Sequence, residues 1–305
     1  MVIQMINNPA LGSHLLLLLA SAIWGFAFVA QREGMEHLGP FFFNGIRFLL
    51  GGLVLLPICV KNLAHKNGEI VVKEQIRSGL ILGVLLFLGA SFQQVGIVTT
   101  TAGKAGFVTS LYLVFVPMVG LGLGQRTPFL SWIGALLAVW GMYLLSSIWS
   151  FQIDHGDFIV FCGAIVWTFH VLAIDHLLKR GCDALVLSIT QFFVCSLLSW
   201  ISAYFMGEID FVSIPAAFLP LAYTSFISVG IAYTLQIVAQ RNVPPSHAAL
   251  IMGLEAVFAV IGGYLFLGEV LSQRQGLGCS LMLLGVLCSQ LAEPLKKFFQ
   301  MSKAL

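Results

Sequence analysis

The sequence predicts an all-α integral membrane protein of ten transmembrane helices, arranged as two inverted five-helix repeats. Three observations carry that prediction: the composition, the spacing of the apolar runs, and an internal similarity between the two halves of the chain. Of the 305 residues, 59% are hydrophobic and only 9% charged, and the mean hydropathy is +0.97. So little polar surface cannot coat a water-soluble globule of this size. The chain therefore belongs in a lipid bilayer. Its formal charge of +2 gives no reason to expect a nucleic-acid or acidic partner.

A helix that rises 1.5 Å per residue needs about 20 apolar residues to cross the hydrocarbon. Ten runs meet that length, near 14–32, 40–60, 76–97, 103–124, 128–148, 157–177, 184–206, 215–240, 246–268 and 273–293. The first, HLLLLLASAIWGFAFVA, contains an ASA that resembles a signal cleavage site. No Lys or Arg precedes it, and the apolar run continues through Trp24 to Ala30, so it reads as an uncleaved span. Pro40, Pro128 and Pro215 sit at span starts, where a missing N–H costs least, and Pro294 follows the last span. Pro117 and Pro220 lie inside spans and are expected to kink them.

Orientation follows from where Lys and Arg fall. With the N-terminus cytoplasmic, the inside receives Lys61, Lys66, Lys73, Arg77, Arg126, Lys179, Arg180, Arg241, Lys296, Lys297 and Lys303, against Arg32, Lys104 and Arg274 outside. Both termini are therefore expected in the cytoplasm. The cysteines at 59, 162, 182, 195, 279 and 288 show no CxxC or Cys/His spacing, so neither disulfides nor a metal site are expected, and no cofactor is either.

Sliding the sequence on itself by 143 residues sets Trp24 on Trp167 and Gln93 on Gln236. It also lays FQQVGIVTTTAGKAGFVTSLYLVFV, from Phe92, over LQIVAQRNVPPSHAALIMGLEAVFA, from Leu235. With one further residue of slip, Gly134 and Gly141 fall on Gly278 and Gly285. This is a duplication of five spans, with a first repeat at 13–149, a second at 157–293 and a cytoplasmic tail at 294–305. Five is odd, so the second copy enters the membrane upside down and a pseudo-two-fold axis lies in the membrane plane. Transporters use that architecture because two equivalent halves can exchange which side is open.

The residues such a site would draw on are few. Trp24 and Trp167 lie about ten residues into their spans, well away from the interfacial belts where Trp usually sits. They are candidate aromatic walls of a central cavity, the alternative being plain interhelical packing. Gln93 and Gln236 are candidate gates or interhelical hydrogen-bonding residues. Glu255 interrupts the apolar run LIMGLEAVFAVIGGYLFLGE, and a carboxylate there costs about 2.5–3.5 kcal/mol on insertion scales. It is read either as a proton-coupling group or substrate counter-charge, or as a structural residue bonded to a neighbouring helix. Tyr112 is its first-half counterpart. His170, one turn after Trp167, is a second titratable candidate. Arg47 is expected to snorkel to the outer interface, with a carboxylate such as Glu33, a helix C-terminus or a substrate carboxylate as other partners. Lys104 marks an interface. The turns TTTAGK and NVPPSH occupy equivalent positions and are candidate gates.

These residues also carry a resemblance. WGFAFVA of the first span, WTFHVLA of the sixth, AGKAGFVTSLYLVFVP of the fourth, and above all GLEAVFAVIGGYLFLGE followed by GLGCSLMLLGVL resemble the paired EamA domains of the drug/metabolite transporter superfamily. The resemblance covers about residues 13 to 293. It implies a ten-helix carrier of the bacterial inner membrane that moves small metabolites, often amino acids or related compounds and commonly outward. It also implies a cavity lined mainly by the first, third, fourth, sixth, eighth and ninth spans. Two departures stand out: Glu255-Ala256 where many members have Glu-Pro, and Gly124-Gln125-Arg126 where a first-half Gly-Glu is usual. No GxSxG, HExxH or P-loop motif is present, so no enzyme is expected. The expectation is a secondary transporter working by alternating access, with a small-molecule substrate, the bilayer and a proton as its partners. A facilitative channel-like uniporter and an importer of a vitamin- or cofactor-type metabolite are the alternatives. One chain holds both halves, so a monomer suffices, with a dimer left open.

Overall fold

The computed structural model describes residues 9–65, 72–125, 127–145, 154–266, 268 and 272–302. Lys66, Arg126, Glu269 and Lys303, and residues 146–149 at the end of the first expected repeat, lie outside the described residues. All ten apolar runs are helical. They form α1 (Pro9–Gly34), α2 (Pro40–His65), α3 (Val72–Ile97), α4 (Ala102–Thr109), α5 (Tyr112–Gly122), α6 (Phe129–Leu145), α7 (His155–Lys179), α8 (Ala184–Met206), α9 (Phe218–Ala222), a π-helical stretch Tyr223–Tyr233, α10 (Thr234–Gln240), α11 (Pro245–Met252), α12 (Glu255–Phe266) and α13 (Gln273–Ser302). Among the described residues, eight spans are long and apolar enough to cross a membrane. The fifth, α6, has 17 residues and lies along the 30-residue α13.

Local chemistry explains most of the helix ends. Thr101 caps α4 by accepting from the Lys104 N–H at 3.2 Å, and Asp183 caps α8 by accepting from the N–H groups of Leu185 and Val186. Gly207 closes α8 in the left-handed region at φ 68°, a conformation glycine adopts without penalty. Pro294, expected to follow the last span, lies within α13, which runs on to Ser302. Pro220 lies in the first turn of α9, where its missing N–H removes no helical hydrogen bond, and three residues later the backbone widens into the π-helical stretch. At Pro117 the outcome is different. It sits within α5, and the break in that span comes earlier, at Ser110 and Leu111.

Packing obeys the two-fold expected from the duplication. The first span packs on the eighth and ninth, and the sixth packs on the third and fourth. The second and seventh spans face each other, as do the fourth and ninth and the fifth and tenth. Every one of these pairs becomes another, or itself, when span n is replaced by span n+5. The fifth and tenth spans meet through glycine. A Cβ placed on Gly134 would collide with the carbonyl oxygen of Gly285, and one on Gly141 with that of Gly278. Backbones this close are how helices gain contact in lipid, where no hydrophobic force drives them together. Outward, Leu53, Ile58, Ile81, Leu197, Leu283 and Leu287 are exposed, forming the apolar surface a bilayer requires.

Candidate functional site

The ninth span resolves the oddity of a mid-span carboxylate by not being one helix. Met252 ends α11, Gly253 and Leu254 interrupt it, and Glu255 begins α12. The fourth span breaks identically 143 residues earlier: Thr109 ends α4, Ser110 and Leu111 intervene, and Tyr112 begins α5. The two breaks touch. The Ser110 hydroxyl lies 3.2 Å from the Gly253 carbonyl oxygen and 3.4 Å from Glu255 Oε1, within donating distance of both. The Tyr112 hydroxyl stands beside the same carboxylate. Glu255, 4% exposed, therefore has hydroxyl donors for its carboxylate and stands at the start of a helix, the end of the helix dipole that favours negative charge. Gly25 lets α1 press against this point, for any side chain there would meet Phe258 and the Glu255 carbonyl.

A small cavity opens next to the breaks. Its walls come from both repeats. α1 supplies Trp24, Phe28 and Gln31, α2 supplies Arg47, and α3 supplies Gln93. Thr109, Tyr112, Met252 and Glu255 come from the broken spans, Trp167 and Val171 from α7, and Ser228, Tyr233 and Gln236 from the eighth span. Trp24 and Trp167 flank Tyr233, with ring centroids 4.9 and 6.1 Å from it. Both indole N–H groups are buried without a hydrogen-bond partner. Gln93 donates from Nε2 to Gln31 Oε1 at 3.0 Å, and Gln236 Oε1 is buried and unpartnered.

Six of the seven residues expected to bind substrate thus line one cavity, and His170 does not. It is fully buried behind Trp167, 5.4 Å between ring centroids, with Nε2 hydrogen-bonded to Gln191 Oε1 at 2.9 Å. Three residues on from Trp167, it is offset by about 60° round the helix axis, enough to bring it against Gln191 of α8. Arg47 also differs from expectation. Its side chain is turned into the protein and lines the cavity, because Asn44 Oδ1 accepts its Nε–H at 2.9 Å and the rings of Phe43 and Phe48 cover its guanidinium. Snorkelling is excluded by that burial. Gln93 and Gln236, placed in the sequence toward opposite span ends, face the cavity and not the end turns.

The two candidate gating turns differ in chemistry. At TTTAGK, Lys104 pairs with Asp154 at 3.1 Å and Asp157 at 3.5 Å, and the Thr100 hydroxyl donates to Asp157. At NVPPSH, the equivalent of Lys104 is His247, hydrogen-bonded to Ser131 Oγ at 3.0 Å, with Ser289 3.2 Å from the same hydroxyl. Asn242 donates to Ser13 at 3.1 Å. Lys104 is therefore the centre of a charged cluster and more than an interface marker.

Sequence reasoning missed Phe28, Gln31 and Tyr233. The first two carried a signal, since Trp24, Phe28 and Gln31 repeat at i, i+4 and i+7 on one helix face. Tyr233 carried none: its counterpart in the first half is Ala90, and its position depends on the π-helical stretch it terminates.

Two inverted five-span repeats around a shared polar and aromatic cavity are an architecture of membrane transporters. The chain matches the EamA-like transporter family over residues 11–147 and 154–290 and belongs to that family. It is 31% identical over 283 residues to an "Uncharacterized transporter" of Archaeoglobus fulgidus, covering 89% of this chain and 83% of that protein. It is 24% identical to the "Uncharacterized inner membrane transporter YedA" of Escherichia coli K12, covering 87% and 86%. One crystal structure aligns with a TM-score of 0.75 at 18% identity, over 93% of this chain and 98% of the other, a likeness of fold. The chain is a multi-pass membrane protein, and transport is the activity its family shares.

Proposed function

We propose that this transporter carries small amphipathic metabolites, amino acids or related compounds, outward across an inner membrane by alternating access, with both termini cytoplasmic. The observation that supports this best is the position of the cavity: both repeats wall it, beside the point where the two broken spans touch. Rocking one repeat against the other then changes which face the cavity opens to, without taking the binding residues apart. In this reading Trp24, Trp167 and Tyr112, with Tyr233, hold the apolar body of the solute. Gln93 and Gln236 meet its polar atoms, and Glu255 exchanges a proton with each cycle.

A second reading of Glu255 has its own support. Its contacts with Ser110 and Tyr112 and its place at the start of α12 are those of a residue that ties the two breaks together. Under that reading the protein is a facilitator, and its cargo extends to importable vitamin- or cofactor-type metabolites.

Counterflow in proteoliposomes separates the two. A radiolabelled amino-acid panel is exchanged by wild type and Glu255→Gln, with and without an imposed pH gradient. Gradient-stimulated transport that the variant loses, while it still exchanges solute, supports proton coupling at Glu255. Equal transport by both proteins, indifferent to pH, supports the structural role. Conductance that does not saturate would sink the carrier reading in favour of a channel.

A further inference from the structure

Arg47 is 2% exposed, and its one hydrogen bond among the described residues is from Nε to Asn44. Asn44 is itself anchored, donating from Nδ2 to the Ala90 carbonyl at 3.2 Å. The remaining N–H donors of the guanidinium are left beside the cavity that Arg47 lines. The described ion pairs belong to Lys104, Lys179 and Arg241, and none brings a carboxylate to Arg47. The groups acting on it are the Tyr233 hydroxyl and the Cys195 thiol, which are neutral in their ordinary range. Glu255 also acts on Tyr233, and Arg47 is not among the groups acting on Glu255.

An arginine keeps its charge inside a protein, and a buried charge without a counter-ion is unfavourable unless something else completes it. The same cavity holds two more unused donors, the indole N–H groups of Trp24 and Trp167. Donors in surplus, one of them a planar cationic fork, match a planar bidentate acceptor.

We infer that the transported solute carries a carboxylate, and that Arg47 in the cavity wall anchors it. The inference rests on the cavity being the solute site of the carrier. A phosphate fits less well: it would bring a second negative charge to a cavity with a single cation and a carboxylate, Glu255, already in its wall. The aromatic rings of the same cavity, Trp24, Trp167 and Tyr233, take an apolar body, so the class is a small monocarboxylate with a hydrophobic side chain, of which an amino acid is one member.

The test uses purified full-length protein and reads tryptophan fluorescence and melting temperature. Its probes are L-leucine, L-methionine and L-phenylalanine, each with its decarboxylated amine and its deaminated carboxylate. The carboxylate-bearing probes should bind, and each amine about ten- to a hundredfold more weakly than its parent, as for loss of a charged hydrogen bond. Arg47→Lys, which keeps the charge and loses the fork, should bind the carboxylates more weakly than wild type. Arg47→Gln should lose the distinction between acid and amine, and the melting curve of each variant without ligand reports whether it folds. Amines that bind as well as their parents, carboxylate binding unchanged in both folded variants, or no carboxylate binding at all would overturn the inference. Counterflow run in parallel keeps the two levels apart. Exchange of a solute that lacks a carboxylate preserves the carrier and removes the role of Arg47, whereas no exchange of any solute removes the carrier as well.

Discussion

The fourth span restarts at Tyr112 and the ninth at Glu255, on backbones broken at equivalent residues and in contact with each other. The backbone interruption is common to both copies, while the side chains at it have diverged to a phenol and a carboxylate. A two-fold axis explains the difference in constraint. Where the copies touch, a change of backbone in one must be met by the other, but a side chain aimed into a shared cavity needs no twin. The end turns repeat the lesson: Lys104, Asp154 and Asp157 form a charged cluster at one, and His247, Ser131 and Ser289 surround the other.

The largest effect should come from breaking the symmetry where it is tightest. Gly134→Leu and Gly285→Leu each drive a side chain into the partner backbone, and both should cost at least about 1–3 kcal/mol, read as a loss of monodisperse protein and a lower melting temperature. Gly103→Ala, at a site with nothing within 4 Å, should change stability by less than about 0.5 kcal/mol. Unequal sensitivity of Gly285 and of Gly141, its equivalent in the first half, would show that the two halves are not packed as equivalents.

The next comparison sets Glu255→Gln against Tyr112→Phe. The first should abolish gradient-stimulated exchange, while the second, which removes one hydroxyl contact, should lower the exchange rate by about two- to tenfold and keep its gradient dependence. Identical pH behaviour of the two variants would assign the carboxylate no more than the structural role of the phenol.

Smaller again is the effect of the charged turn. Asp157→Asn should raise labelling of a cysteine at Gly103 and make it less dependent on salt, a change worth about 0–1 kcal/mol. Ser131→Ala should leave the salt dependence of labelling at Ser246 as it was. If labelling at Gly103 and at Ser246 is the same with and without substrate, neither turn is a gate.

The smallest effect lies between two neighbouring acids on the loop after α8. Burial holds Glu208 above its ordinary value of 4.5, only partly opposed by the N–H groups of Phe42 and Phe41, which lie 3.2 and 2.7 Å away. Asp210 is held below its ordinary value by the hydroxyl and N–H of Ser213. The signs are opposite. The folded protein binds the Glu208 proton more tightly than the unfolded chain, so its contribution to stability falls as pH rises past 4.5. The Asp210 contribution is present above the ordinary Asp value and is lost as pH falls through its lowered value. Glu208→Gln should flatten the first slope in a melting series and leave the second.

Much of this was legible in the sequence. Composition and run length give the ten spans, and the offset of 143 residues brings Trp24, Tyr112, Trp167 and Glu255 to one region because an inverted repeat maps mid-span onto mid-span. What escaped is rotation about a helix axis. His170 lies at mid-depth but faces α8, and Arg47 lies near a span end but is turned inward by Asn44. Depth is a property of position along the chain, whereas facing depends on neighbours brought in by packing. The helix breaks escaped for a related reason, since Ser110-Leu111 and Gly253-Leu254 contain no proline to announce them.

The π-helical stretch at Tyr223–Tyr233 has no counterpart in the first half, where residues 80–90 run within the unbroken helix α3. Perfect twins would give an exchanging carrier two end states of equal free energy, each occupied half the time. A widened turn in one copy alone removes that degeneracy, because the rearrangement asked of the eighth span in one direction is not the one asked of the third span in the other. In a carrier of that kind, without cargo or gradient, the two forms would differ in free energy, and which one is favoured would depend on the sequence between Pro220 and Tyr233 as well as on the cavity itself.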